Sequence, residues 1–123
     1  MSRIFILSCV VSLAALPAVA QDPTKVDPQH YKVESENDQV RVLRIHYGPH
    51  EKSVMHGHPG SVAVFLTDVH AKFTYPGGKT EEMQPKAGET RWTKAGKHLP
   101  ENLGDTPFDV ILVELKPKAA KSK

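Results

Sequence analysis

Apolar and polar positions alternate in short runs along most of the chain, and turn residues interrupt the runs every few positions. Alternation with period two is the signature of half-buried strands. Residues 39–47 give one such run, with Arg41, Leu43, Ile45 and Tyr47 on one face. Gly48-Pro49 ends it. Residues 53–58 form a second extended piece, closed by Pro59-Gly60. Residues 62–67 are apolar until their end and read as buried on both faces. Residues 70–75 place Ala71, Phe73 and Tyr75 together before the turn Pro76-Gly77-Gly78. Residues 79–84, then 90–93 with the single tryptophan Trp92, continue the pattern. Gly96 and Pro100 punctuate a loop that holds His98. Residues 108–115 are the most apolar run.

The pattern amounts to eight or nine short strands with no helical periodicity. It predicts an all-β fold, an antiparallel β-barrel or jelly roll, because closure of that kind manages exposed strand edges. Residues 21–38 are polar, contain Pro23 and Pro28, and read as a leader or a first edge strand. The strands of 39–116 form the one domain that 123 residues suggest. Residues 117–123 are a solvated Lys-rich tail.

The first twenty residues change the picture. A short basic head, an apolar run over residues 4–16 and the small residues before Gln21 read as a secretory signal peptide cleaved near Ala20-Gln21. The run is too short to span a bilayer. The expected location is periplasmic or secreted, without stable membrane insertion. Cys9, the only cysteine, lies inside that run. The mature chain would then hold about 103 residues and no disulfide. Without Arg3, the 16 basic side chains become 15 against 14 acidic ones. That near balance, with no basic stripe interleaved with aromatics, argues against nucleic acid as a partner.

Seven histidines remain as candidate chemistry. In an extended His56-Gly57-His58, both rings share a face about 6–7 Å apart. His98, some forty residues on, reaches the same place if its strand is a neighbour. Three imidazoles leave a coordination position open, as catalytic metal sites require. A solvated histidine pair at a strand end is the competing reading. His46 and Arg44 line the pocket if Val40 and Val42 face it; a half-buried histidine and a snorkelling arginine are the plainer readings. His50 reads as a loop residue, and His30 and His70 as surface. Trp92 and Tyr75 read as pocket walls or, better, core. No carboxylate pair suits glycoside hydrolysis, and Ser53 and Ser61 lack a nucleophile-elbow context.

Residues 49–58, Pro-His-Glu-Lys-Ser-Val-Met-His-Gly-His, resemble the first motif of the cupin superfamily, G-x(5)-H-x-H-x(3,4)-E-x(6)-G, with His50 in place of the first glycine. Gly88 through Gly96 to His98 and Asn102 resembles the second, G-x(5)-P-x-G-x(2)-H-x(3)-N, with Lys94 for the proline and one residue fewer before the histidine. The resemblance covers roughly residues 40–116. It implies a small β-barrel holding a divalent metal on His56, His58 and His98, and commonly a homodimer. The acidic ligand falls at Val62 or Ala63, and the second glycine at Val69 or His70, so the three-His-one-Glu set is excluded. A three-His site, as in cupins related to thiol dioxygenases, is left. Such a set suits zinc, iron, nickel or copper better than a hard ion. Glu101 and Glu114 are the carboxylates available nearby, and Asn102 lies beside the first. The resulting reading is an exported cupin acting on a small polar metabolite, as a dioxygenase- or isomerase-like enzyme. The alternatives are a non-catalytic ligand or metal carrier, and a metal-free structural dimer. Fold alone does not choose among these.

Overall fold

The computed structural model describes residues 21–118. The signal-peptide reading of residues 1–20 and the end of the Lys-rich tail, 119–123, lie outside the described residues. A one-turn helix α1 (Pro23–Val26) is capped by Asp22, whose Oδ1 accepts from the Thr24 amide at 2.9 Å. Nine strands follow: β1 (Tyr31–Glu36), β2 (Val40–Tyr47), β3 (His56–His58), β4 (Ser61–Phe65), β5 (Ala71–Thr74), β6 (Thr80–Met83), β7 (Thr90–Thr93), β8 (Gly96–Asn102) and β9 (Phe108–Leu115).

They form two antiparallel sheets, of order β1-β2-β9-β4-β7 and β3-β8-β5-β6. The all-β jelly roll is therefore present. The sheets do not close into one continuous barrel; β1 and β7 are left as edges of the larger sheet, and β1 exposes every residue after Tyr31. The polar stretch after Gln21 thus becomes a helical turn and an edge strand.

Strand alternation and register together build rungs across the larger sheet, because directly opposed residues share a face. On its inner face Tyr47 opposes Phe108. Ile45, Val110 and Phe65 form the next rung, then Leu43, Leu112 and Ala63. All are buried and, with Tyr31, Val69 and Ala71, make the core. The last rung is polar: Arg41, Glu114 and Ser61. β4 is half-buried on its outer side, at Val62 and Val64, rather than buried on both faces; among the described residues no further layer covers the outside of the larger sheet there.

The same alternation turns His46 and Arg44 outward, which corrects the expectation that they line the pocket. With Leu43 and Ile45 inside, their neighbours must face solvent. His46 Nδ1 lies 2.9 Å from Asp109 on the neighbouring strand, and Arg44 bonds Glu34 at 3.0 Å. His70 is on the surface, but His30 is not: it is buried, at 6% exposure, and stacks on Tyr47 with ring centroids 4.2 Å apart.

Candidate metal centre

His98 lies within β8, not in a loop, and pairs directly with His56 on β3. His58 is two residues along the same strand. Ring centroids are 4.8 Å apart for His56 and His58, 5.0 Å for His56 and His98, and 5.2 Å for His58 and His98, each pair close to perpendicular. One nitrogen from each ring lies within 4.8 Å of the other two. The fold therefore brings together the three histidines separated in the chain.

The outer nitrogens of His58 and His56 are held. His58 Nδ1 is 2.7 Å from Glu114 Oε2. Glu114 is bound on its other oxygen by Arg41 Nε at 2.7 Å, and Arg41 in turn forks onto Asp22 at 2.6 and 3.1 Å. Burial alone would raise the Glu114 carboxyl, but the bonds from His58 and Arg41 outweigh it and hold it below the ordinary range. A carboxylate accepts, so His58 donates from Nδ1 and keeps Nε2 as a lone pair. His56 Nδ1 donates to the Val54 carbonyl at 2.8 Å, with Ser53 Oγ at 3.3 Å. Ser53 donates to Asp27 at 2.5 Å, Asp27 bonds His30 at 2.7 Å, and His30 reaches Glu51 at 2.7 Å. Two chains of polar groups thus run from the N-terminal segment to the rings.

The inner nitrogens are not satisfied. His56 Nε2 and His98 Nε2 are buried and, among the described residues, have no hydrogen-bond partner. Burial, with the neighbouring rings adding to it, pushes His56 down to about 4 and His98 to about 3. Both are neutral at physiological pH, the state in which imidazole binds a metal. An unpaired buried acceptor costs roughly 1–3 kcal/mol. Two of them aimed together, beside a third ring with a carboxylate behind it, fit a divalent ion with nitrogen ligands.

The cluster adjoins a cavity of about 490 Å³ between the sheets. His58 and His98 face it, whereas His56 is fully buried behind them. Tyr31 packs edge-on against His56 at 4.7 Å. Ala63 lines the cavity near where the resemblance seeks an acidic ligand, so that place is apolar. Glu114 supports His58, with both its oxygens already engaged. Glu101 pairs with Lys72 at 3.5 Å and is not part of the cluster. Asn102 is buried in a structural role, donating to the carbonyls of Gly48 and Thr106 and accepting from the Gly104 amide. Trp92 borders the cavity but is 59% exposed, so it is rim rather than core. Its ring occupies the space a Cβ on Gly60 would need, 2.9 Å away. Tyr75 is also on the cavity wall.

Asp22, Asp27, His30, Arg41 and Ser53 are the site residues that sequence reasoning missed. Arg41 alone carried a signal: a charge on the apolar face of β2, which needs a partner.

No family model matches the sequence, and no curated protein does. Solved structures do match. A cupin domain from Bordetella pertussis Tohama I is similar at a TM-score of 0.66 and 25% identity, over 71% of this chain and 92% of that one. An RmlC-like cupin family protein with a double-stranded β-helix fold from Methanocaldococcus jannaschii gives 0.56 and 16%, over 72% and 83%. A conserved protein with a double-stranded β-helix domain from Klebsiella pneumoniae gives 0.53 and 20%, over 85% and 97%. The likeness spans most of each of these proteins and agrees with the two motifs: the chain has the double-stranded β-helix fold of the cupins.

Proposed function

We propose that this protein is an exported cupin that binds one divalent metal ion through His56, His58 and His98 and offers it to a small molecule in the adjoining cavity. The observation that carries the reading is the pair of buried, unpartnered nitrogens, His56 Nε2 and His98 Nε2. Nitrogen-only donors favour zinc, iron, nickel or copper. When bound, the ion supplies Lewis-acid or redox chemistry at an open coordination position. Glu114 orients His58 and raises its basicity, and Val54 and Ser53 fix the tautomer of His56. Tyr31 and the apolar cavity walls keep water from the rings. Export rests on the sequence of residues 1–20. No described helix is long and apolar enough to cross a membrane.

A second reading, a non-catalytic carrier or sensor, is favoured by the cavity wall itself. Among the described residues Glu81 is its one carboxylate, and it sits beside Tyr75 rather than at the histidines. Elemental analysis of the purified protein tests both readings. Stoichiometric metal, lost in His58→Ala and His98→Ala variants that keep their circular dichroism, supports them. Protein without metal whose melting temperature is unmoved by zinc, iron, nickel or copper overturns both and leaves the structural reading. Turnover on candidate ligands then separates enzyme from carrier.

A further inference from the structure

The cavity wall has a chemical asymmetry that the metal does not account for. Arg91 on β7 opposes Ala63 on β4 in register, so it shares the inner face. Its guanidinium carbon stands over the Phe65 ring, 5.9 Å from the centroid. This extends the Leu43–Leu112–Ala63 rung, which lies next to the polar rung holding Glu114. β7 is two strands from β9, about 10 Å at the usual strand spacing. The guanidinium therefore stands on the same inner face as the rung that supports His58, two strands to its side. Its sole ion-pair partner among the described residues is Glu89, at 3.5 Å with both side chains nearly half exposed, a contact worth little in water. Lys94 and Lys97 join it on the wall, three cations against the single carboxylate of Glu81. The rest of the wall includes a broad apolar surface: Phe65, Phe73, Met83, Val110 and Leu112.

A molecule complementary to that wall has an apolar body and one negative group. We propose that the cavity binds a small amphipathic carboxylic acid, with its aromatic or aliphatic body against Phe65, Phe73 and Leu112 and its carboxylate paired with Arg91. The proposal deepens the reading of the cavity as the ligand site of the metal centre and rests on it. A volume of about 490 Å³ lies within the range of small-molecule sites. Arginine suits a carboxylate because its planar fork can donate two parallel bonds.

The test is calorimetric titration of 3-phenylpropionate and of its uncharged amide, 3-phenylpropionamide, into protein stripped with chelator and into protein loaded with zinc. In stripped protein the acid is expected to bind at least about tenfold more tightly than the amide. Arg91→Gln should bring the two within about twofold, chiefly by weakening the acid, in protein that keeps its circular dichroism spectrum. Equal affinities in the unaltered protein, no binding of either probe at millimolar concentration, or an acid preference that survives Arg91→Gln would each overturn the proposal. A preference lost instead in Lys94→Gln/Lys97→Gln would overturn the assignment to Arg91. Acid preference in stripped protein that takes up no zinc refutes the metal reading alone. Zinc uptake without acid preference refutes this proposal alone.

Discussion

Glu114 Oε2 lies 2.7 Å from His58 Nδ1, with both side chains almost wholly withdrawn from solvent. The carboxylate touches no cavity surface, so its effect passes through the ring. Glu114→Gln keeps the shape and removes the charge. Metal affinity should fall about 10- to 100-fold, read by competition with a chelating dye, while the circular dichroism spectrum is retained. Unaltered affinity would show that His58 needs no anionic support.

Asp27 is the hub of the second polar chain, accepting from Ser53 at 2.5 Å and meeting His30 at 2.7 Å. Asp27→Ala strands two buried polar groups. A loss of about 2–4 kcal/mol in urea unfolding is expected. Asp27→Asn should recover part of it, since an amide oxygen still accepts from Ser53. A loss below about 0.5 kcal/mol for Asp27→Ala, the size of an ordinary surface change, would mean the network is not closed in solution.

Protonation should weaken the metal-free protein. His56 and His98 are pushed down to about 4 and about 3 in the fold, against about 6.5 when unfolded. Between those values the unfolded chain holds more protons, so stability falls as pH falls. The contribution is whole above about pH 6.5 and vanishes below the folded-state values. From pH 7 to pH 5 the loss should be roughly 2 kcal/mol per ring. Denaturant midpoints of chelator-treated protein at the two pH values measure it, and a His56→Gln variant should show a smaller drop. A flat profile would contradict burial of the rings.

A ligand that binds only the folded state stabilises it. With zinc at a hundred times its dissociation constant, the gain should be about 2.7 kcal/mol, visible as an upward shift in melting temperature that His98→Ala abolishes. A shift that persists in His98→Ala would place the ion elsewhere.

His46→Ala and Arg44→Ala change outward groups on β2. Stability should move by no more than about 0.5 kcal/mol and metal affinity not at all. A clear loss of affinity in either would return these residues to the cavity side.

The strands were legible because alternation in this chain is clean, and because Pro-Gly, Gly-Gly and Gly-Asp pairs mark their ends. His56 and His58 were legible as a pair from their spacing alone. The convergence of His98 with them depends on β3 lying against β8, which the residues raised only as a condition and the resemblance implied. Periodicity gave the grouping of Arg41 with Leu43 and Ile45, but not which face of β2 turns inward. For that reason His46 and Arg44 were weighed as pocket residues. His30 looked like a surface histidine because its neighbours in sequence are polar. Its burial comes from Tyr47, Asp27 and Glu51, contacts set by how the first segment folds back. Asn102 keeps its spacing from His98 yet serves a turn, since two residues on one strand need not share a task.

The polar rung ties both ends of the described chain to the histidines between them. Asp22 enters through Arg41, and Glu114 arrives on the final strand, slotted between β2 and β4. A single-residue slip of β9 would turn Glu114 to solvent and leave His58 unanchored. A chain still emerging, or clipped before residue 114, carries all three imidazoles without the anchor that aims one of them. If the histidines hold an ion as proposed, its capture is coupled to completion of the fold, and a truncated copy should make a poor scavenger of it.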